Sequence, residues 1–270
     1  MAQQMSISSQ SEFFSEAKKH PDRFYIVHYS CQNLNDGNEG LSPRVTSIAV
    51  VFFANDQTVS FSTHSIAEEI GITCADVATR YDEVEKRLLE SFYTFVRDRR
   101  DKYWVHWNTR NIAYGFEHIE HRFRTLTRTE APVIPVEQRI NLNDMLADRY
   151  GTGYANHPKM PDLVSLNAGL PRLFLTGAEE VQAFARGEFI RMHQSTLSKV
   201  GFFRQVMQKV FEGRLKTSRW GFLNFVDKLF DSRTARAVGG LCVWSSILRS
   251  CPSAKRTSAV MSSRPSHMLP

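Results

Sequence analysis

The chain has 270 residues, enough for one sizeable domain with an appended piece, and its 42% hydrophobic and 23% charged residues exclude wholesale disorder. Its net charge of +6 is concentrated at one end, because residues 191–270 contain 14 Lys and Arg against 3 Asp and Glu, whereas residues 1–190 are acidic overall. A basic C-terminal third is compatible with contact to nucleic acid, with contact to an anionic membrane, or with a solvated helical face.

The chain begins with an N-terminal tail at 1–22, of which residues 1–20 form either a loose tail or a short helix. The elements predicted after it, in chain order, are strands at 24–31, 46–54 and 58–66, a helix at 80–99, a strand at 103–108, a helix at 112–126, a fifth strand before residue 142 and a short helix ending at 151. Near-continuous apolar strands such as SIAVVFF indicate burial on both faces of a sheet. This order predicts an α/β domain over residues 23–175, with a mixed sheet flanked by helices.

Residues 176–249 are predicted to form a basic helical extension. Its first helix has an apolar stripe that includes Leu197, Val200 and Phe203, and we place Lys199 and Arg204 on the opposite, solvated face. Residues 250–270 are rich in Ser, Pro and basic residues, which predicts a disordered tail.

Cysteine usage and the N-terminus indicate the compartment. The four cysteines, at positions 31, 74, 242 and 251, lack the spacing of a metal site and are typical of reduced thiols. The N-terminal stretch MAQQMSISSQ lacks the apolar region of a secretory signal, and no segment approaches the roughly 18 apolar residues of a membrane span. We therefore predict a cytoplasmic protein.

Three sequence stretches carry a resemblance to a known family: HYSCQ after the first strand, VHWNTRNIAYGFE around the fourth strand, and HPKMPD near residue 160. With the element order over residues 23–165, they resemble the ribonuclease H-like fold, specifically the DEDD family of 3′–5′ exonucleases. That family carries Asp-x-Glu on its first strand, His-Asn leading into Phe-Asp after its fourth strand, and His-x4-Asp on a late helix. Its carboxylates hold two divalent ions that clamp an in-line displacement at phosphorus.

The resemblance implies Mg²⁺ or Mn²⁺ as cofactor if the protein is active, with Glu117 and Asp162 as metal ligands and Glu117, His157 and Asp162 as catalytic residues. The first motif departs from the family, because Ser30 and Gln32 stand where the anionic ligands are expected. Two prolines in HPKMPD also argue against a regular helix there. We therefore predict that standard two-metal catalysis is absent, unless loop carboxylates at Asp36 or Glu39 replace the missing ligands.

Candidate nucleic-acid contacts fall into two groups. The first follows the fourth strand, where polar and aromatic side chains can line a cleft at the carboxyl edge of the sheet: His106, Trp107, Asn108 and Arg110. The second lies in the basic C-terminal third: Lys209, Arg214, Lys216 and Arg219.

Three functional hypotheses stay open from the sequence. The first is a protein that binds or processes DNA or RNA on an exonuclease-like scaffold. The second is a non-enzymatic pseudoenzyme that acts as a sensor or binds a protein partner. The third is an effector that contacts a membrane peripherally through residues 218–248, although packing of the C-terminal helices against the domain is the leading interpretation.

Overall fold

The computed structural model describes residues 7–32, 42–107, 115–169 and 171–218. Its strands are β1 (Phe24–Cys31), β2 (Val45–Phe52), β3 (Thr58–Ser62), β4 (Tyr103–His106) and β5 (Arg139–Asn141). Its α-helices are α1 (Gln10–Lys19), α2 (Thr63–Glu69), α3 (Tyr81–Arg97), α4 (Phe116–Thr127), α5 (Leu142–Tyr150), α6 (Lys159–Ala168), α7 (Gly177–Ala185) and α8 (Phe189–Phe211).

The five strands form one mixed sheet in the order β3-β2-β1-β4-β5. Strands β1, β2 and β3 form an antiparallel meander, while β4 lies parallel to β1 and β5 lies parallel to β4. The predicted α/β class with a mixed sheet flanked by helices is therefore confirmed. Because β1 and β4 are parallel neighbours, the residues that follow both strands meet at the same edge of the sheet.

Helices cover both faces of the sheet, and each face has its own apolar core. Successive residues of β1 point to opposite faces, so that Ile26 and Val27 belong to different cores. The first core joins β1 to α1, α5, α6 and α8, and its buried members include Phe13, Phe24, Ile26, Leu146, Leu163 and Phe203. The second core joins β1 and β2 to α2, α3 and α4, and its buried members include Val27, Ile48, Ile66, Leu88 and Ile119.

Several elements differ from the sequence prediction. The third strand was expected to reach residue 66, but it ends at Ser62 and α2 begins at Thr63, which buries Ile66 and Ala67 at adjacent helical positions. Residues 1–20, expected to be either a loose tail or a short helix, contain α1, which places Phe13 in the core. These segments are too short for periodicity alone to separate strand, helix and tail.

The prolines of HPKMPD do not prevent a helix. Pro158 is the N-cap of α6, and Pro161 lies in its first turn. A proline is tolerated there because the first-turn N–H groups have no acceptor within the helix. Asp162 therefore lies on a regular helix, contrary to the expectation from the two prolines, whereas His157 precedes it.

Helix α8 lies beyond the boundary predicted at residue 175, yet it packs across β1 and β2. Its apolar stripe is buried as predicted, with Val200 and Phe203 in the first core. The rest of the predicted extension beyond residue 218, including nearly all of the membrane-contact segment 218–248 and the tail 250–270, lies outside the described residues. Within the described ranges, no helix combines the length and apolar character needed to cross a bilayer.

A buried ion pair joins α3 to α4 beneath the start of β2. Arg122 Nε donates to Glu85 Oε1 at 2.9 Å, and the Val45 N–H donates to the same oxygen at 2.8 Å. Burial raises the pKa of Glu85, although the hydrogen bond and charge of Arg122 oppose this shift. The pair thus fixes the beginning of β2 relative to both helices.

Replacing Glu85 with Leu should lower the free energy of unfolding by about 3–5 kcal/mol, because Arg122 is left charged and buried without its partner. The double variant Glu85→Leu/Arg122→Met removes both charges and should recover much of that loss. Urea unfolding followed by tryptophan fluorescence measures both values. An equal loss in the single and double variants would contradict this account.

Candidate functional site

A cavity of about 380 Å³ lies at the edge of the sheet where β1 and β4 end. The strands contribute His28, Tyr29 and His106, and Trp107 follows β4 directly. The other walls come from the start of α6, the segment leading into α7, and the middle of α8, with Pro158, Met160, Pro161, Phe174, Leu175, Thr176, Gly177, Glu180 and Lys199. Most of this lining is apolar or aromatic, which is typical of a small-molecule cavity.

His28 lies on the wall that β1 contributes. Its ring packs edge-on against Phe203 of α8, with centroids 5.5 Å apart. Both ring nitrogens are buried and have no hydrogen-bond partner among the described residues. Burial holds the pKa of His28 well below its ordinary value, and the nearby Lys199 and His106 lower it further. The imidazole is therefore neutral at physiological pH.

A polar cluster around Glu180 closes another wall. Lys199 Nζ donates to Glu180 Oε1 at 2.6 Å, and the hydroxyls of Ser30 and Ser195 donate to the same oxygen at 2.9 Å and 3.4 Å. The Lys199 side chain is only 6% exposed and that of Glu180 is 16% exposed. The ammonium also lies 5.2 Å from the ring centroid of Phe174. The single cation on this wall is thus paired with a carboxylate.

At the end of β1, the residues that face α8 differ from those expected from the first motif. Residues Ser30 and Gln32 were expected at the site, but strand alternation puts His28 and Ser30 on the face that α8 covers. Gln32 lies beyond the end of β1, where its N–H donates to Arg44 O at 2.8 Å. His28 and Ser30, the two residues that face α8, are therefore uncharged hydrogen-bonding groups.

Sequence reasoning missed three residues of this site. Lys199 was placed on the solvated face of its helix, but it is buried beside Glu180 of α7. His28 was overlooked, although the two-residue period of the strand already puts it on the same face as Ser30. No sequence signal pairs Glu180 with Lys199, because the two residues lie on different helices.

Trp107 connects the main cavity to a neighbouring one. Its ring stacks on Phe203, with centroids 5.3 Å apart and planes 16° apart. The neighbouring cavity, of about 350 Å³, is also lined by Asn143, His157 and Lys159. The structure thus brings together three predicted site residues, namely His106, Trp107 and His157.

Glu117 and Asp162, the predicted metal ligands, are each used elsewhere. Glu117 accepts a hydrogen bond from Arg139 of β5 and forms an ion pair with it. Asp162 accepts from the Asn156 N–H at 2.8 Å and from Ser218 Oγ at 3.1 Å, and these hydrogen bonds, the backbone one foremost, lower the pKa of Asp162. Neither carboxylate is among the residues that line the two cavities.

The residues that the structure describes do not form a two-metal site. Mg²⁺ and Mn²⁺ require several hard oxygen ligands, but no group of three or more His, Cys, Asp or Glu side chains in the described part of the chain could hold a metal ion. The main cavity instead contains the ammonium of Lys199. The predicted Asp36, Glu39, Asn108, Arg110 and Arg219 lie outside the described residues.

Two of the predicted basic residues contact Asn167, near the C-terminal end of α6. Lys209 Nζ donates to Asn167 O at 2.9 Å, and the Lys216 N–H donates to Asn167 Oδ1 at 2.9 Å. Arg214 lies between them in the chain and forms an exposed ion pair with Glu212. The Lys209 ammonium and the backbone of Lys216 therefore lie at the opposite end of α6 from His157 and the two cavities.

Comparison with protein-family models, with curated proteins and with solved structures found no match to the chain.

The electrostatics of the site extend to His118 on α4. Its ring stacks on Tyr29, with centroids 6.0 Å apart, and its Nδ1 lies 3.4 Å from Ser42 Oγ. Burial lowers the pKa of His118 from 6.5 to about 4. The unfolded chain therefore takes up this proton at a higher pH than the folded protein does, so the stability contribution is complete above pH 6.5 and is lost as the pH falls towards 4.

We expect the free energy of unfolding of the wild type to fall between pH 6.5 and pH 4. In the variant His118→Phe this fall should be smaller than in the wild type, by up to about 3 kcal/mol. Urea unfolding at a series of pH values measures the slope. His121→Phe is the matched control, because His121 is exposed on the same helix. Identical slopes for wild type and His118→Phe would contradict the assignment.

Proposed function

We propose that the protein binds single-stranded nucleic acid on a ribonuclease H-like scaffold and does not cut it by two-metal chemistry. The observation that carries this proposal is the cavity at the carboxyl edge of β1 and β4. The family that the sequence resembles carries catalytic motifs on its first and fourth strands, whereas the polar groups that line this cavity include His28, His106 and the Lys199–Glu180 pair.

The sheet supports the scaffold part of the proposal. An antiparallel meander of three strands, followed by two strands parallel to the first, is a mixed sheet of the kind that the element order predicts. The helices α3 and α4 lie between strands in the expected chain order. Fold alone does not define activity, so the functional argument depends on the side chains of the site.

The charges of the site argue against two-metal cleavage. Two-metal hydrolysis needs carboxylates to hold the ions, whereas the carboxylate that lines this cavity, Glu180, is paired with Lys199. Glu180 is occupied by Lys199, Ser30 and Ser195. A divalent ion at this oxygen would have to displace a buried ammonium, which is costly.

Helix α6 lies along a path that a nucleic-acid strand could follow. It begins at Lys159, next to the neighbouring cavity, and ends at Ala168, next to Asn167, which the Lys209 ammonium and the backbone of Lys216 contact. Its ten residues span about 15 Å. A strand lying along α6 would meet basic side chains at one end, for phosphate contacts, and aromatic walls at the other, for base stacking.

The variant Arg214→Glu should weaken binding of labelled single-stranded DNA or RNA, because it replaces a phosphate-attracting charge with a repelling one. Fluorescence polarisation over a range of salt concentrations should show the slope of log K against log salt reduced by about one unit. The control Arg80→Glu makes the same charge change at an exposed arginine that is also paired with a nearby glutamate. Equal weakening by both variants would contradict a path along α6.

Incubation of the wild type with the same strands and Mn²⁺ should leave them intact while binding persists, since the described residues do not fit a two-metal site. Denaturing gel electrophoresis checks the length of the strands over time. Degradation that requires Mn²⁺ and is lost in the double variant His157→Ala/Asp162→Ala would overturn this part of the proposal.

A further inference from the structure

We infer that the main cavity takes an uncharged, flat heteroaromatic group of one or two fused rings, and that it discriminates against anionic groups. The group can be a free small molecule or the terminal ring of a bound strand, and the chemistry of recognition is the same in both cases. This inference deepens the proposed function, because it concerns the same cavity, but it can be tested without a strand.

The charge balance of the cavity argues for a neutral ligand. The Lys199 ammonium is paired with Glu180 at 2.6 Å, and Ser30 and Ser195 complete the hydrogen bonds of that carboxylate oxygen. An anion that recruited Lys199 would leave Glu180 charged and buried without its partner. Since His28 is neutral and Lys199 is paired, neither of these two lining residues is left to receive a negative charge.

The walls argue for a flat aromatic ligand. Trp107, Tyr29 and Phe174 line the cavity together with Met160, whose thioether makes favourable contacts with rings. Trp107 is held in place because it stacks on Phe203, so it forms a rigid wall. The volume of about 380 Å³ lies at the lower end of the usual range for small-molecule cavities.

His28 argues for a ligand with hydrogen-bonding atoms in its ring. A neutral imidazole has one donor and one acceptor nitrogen, and both nitrogens of His28 are buried without a partner among the described residues. Each unmet hydrogen bond costs about 1–3 kcal/mol. A heteroaromatic edge that carries a donor or an acceptor can satisfy the nitrogen that faces it, whereas a hydrocarbon can satisfy neither.

Isothermal titration calorimetry on the full chain tests the inference with adenine, uracil, and the pair nicotinamide and nicotinate. Nicotinamide and nicotinate have nearly the same shape but differ in charge, so they separate shape from electrostatics. We expect saturable binding of at least one uncharged compound, and nicotinate to bind at least about tenfold more weakly than nicotinamide. No saturable binding of any uncharged compound, or nicotinate binding as tightly as nicotinamide, would overturn the inference.

The variant His28→Phe keeps the ring but removes both nitrogens, and it should weaken binding of the best uncharged compound about tenfold. His64→Phe is the matched control, because His64 also has a buried nitrogen without a partner among the described residues but does not line the cavity. Circular dichroism verifies that both variants fold. If His28→Phe does not fold, the wild-type comparison of nicotinamide with nicotinate still decides the inference, and equal effects of the two folded variants would contradict it.

Binding experiments with nucleic-acid strands show whether the bound ring is a free small molecule or the terminal base of a strand. The same experiments separate this inference from the proposed function. If the cavity holds a terminal base, the free compound should compete with a labelled strand, and a strand with an abasic end should bind more weakly. Strand binding that persists when no heteroaromatic compound binds would overturn this inference and leave the proposed function standing. Binding of the compounds without any strand binding would support the inference and overturn the proposed function.

Discussion

One carboxylate oxygen, Glu180 Oε1, fixes the arrangement on which the site depends. It accepts hydrogen bonds from Ser30 of β1 and from Ser195 and Lys199 of α8, while Glu180 itself belongs to α7. Buried polar groups are costly unless all of their partners are present. These hydrogen bonds therefore hold β1, α7 and α8 in a single relative position, and this position determines the shape of the cavity between them.

The parts of the fold that could be predicted from the sequence are those with strong local patterns. The apolar runs of β1 and β2 and the period of α3 locate these elements within a few residues. The boundary at Thr63 could not be predicted, because SFSTHSIAEE suits either a strand or a helix, and the tertiary contacts of Ile66 and Ala67 decide it. The α/β class follows from element order, whereas packing of α8 across β1 depends on contacts between distant residues.

The site was less predictable than the fold, because its residues depend on pairs that are far apart in sequence. A lysine on an amphipathic helix is normally solvated, and only the neighbouring Glu180 explains why Lys199 is buried. Similarly, Glu117 resembles a metal ligand in the sequence, but Arg139 of β5 lies close enough to bind it. His28 could have been found from strand alternation, since it shares a face with Ser30.

The position of α8 has a consequence for biosynthesis. Among the described elements it is the last helix, and it covers the face of β1 and β2 that carries Ile26 and Ala49. A chain emerges from the ribosome with its N-terminus first, so both strands are synthesised long before the helix that shields them. Until residue 211 has emerged, chaperones can bind the part of this apolar face that α8 covers in the folded protein. Packing of α8 then buries it.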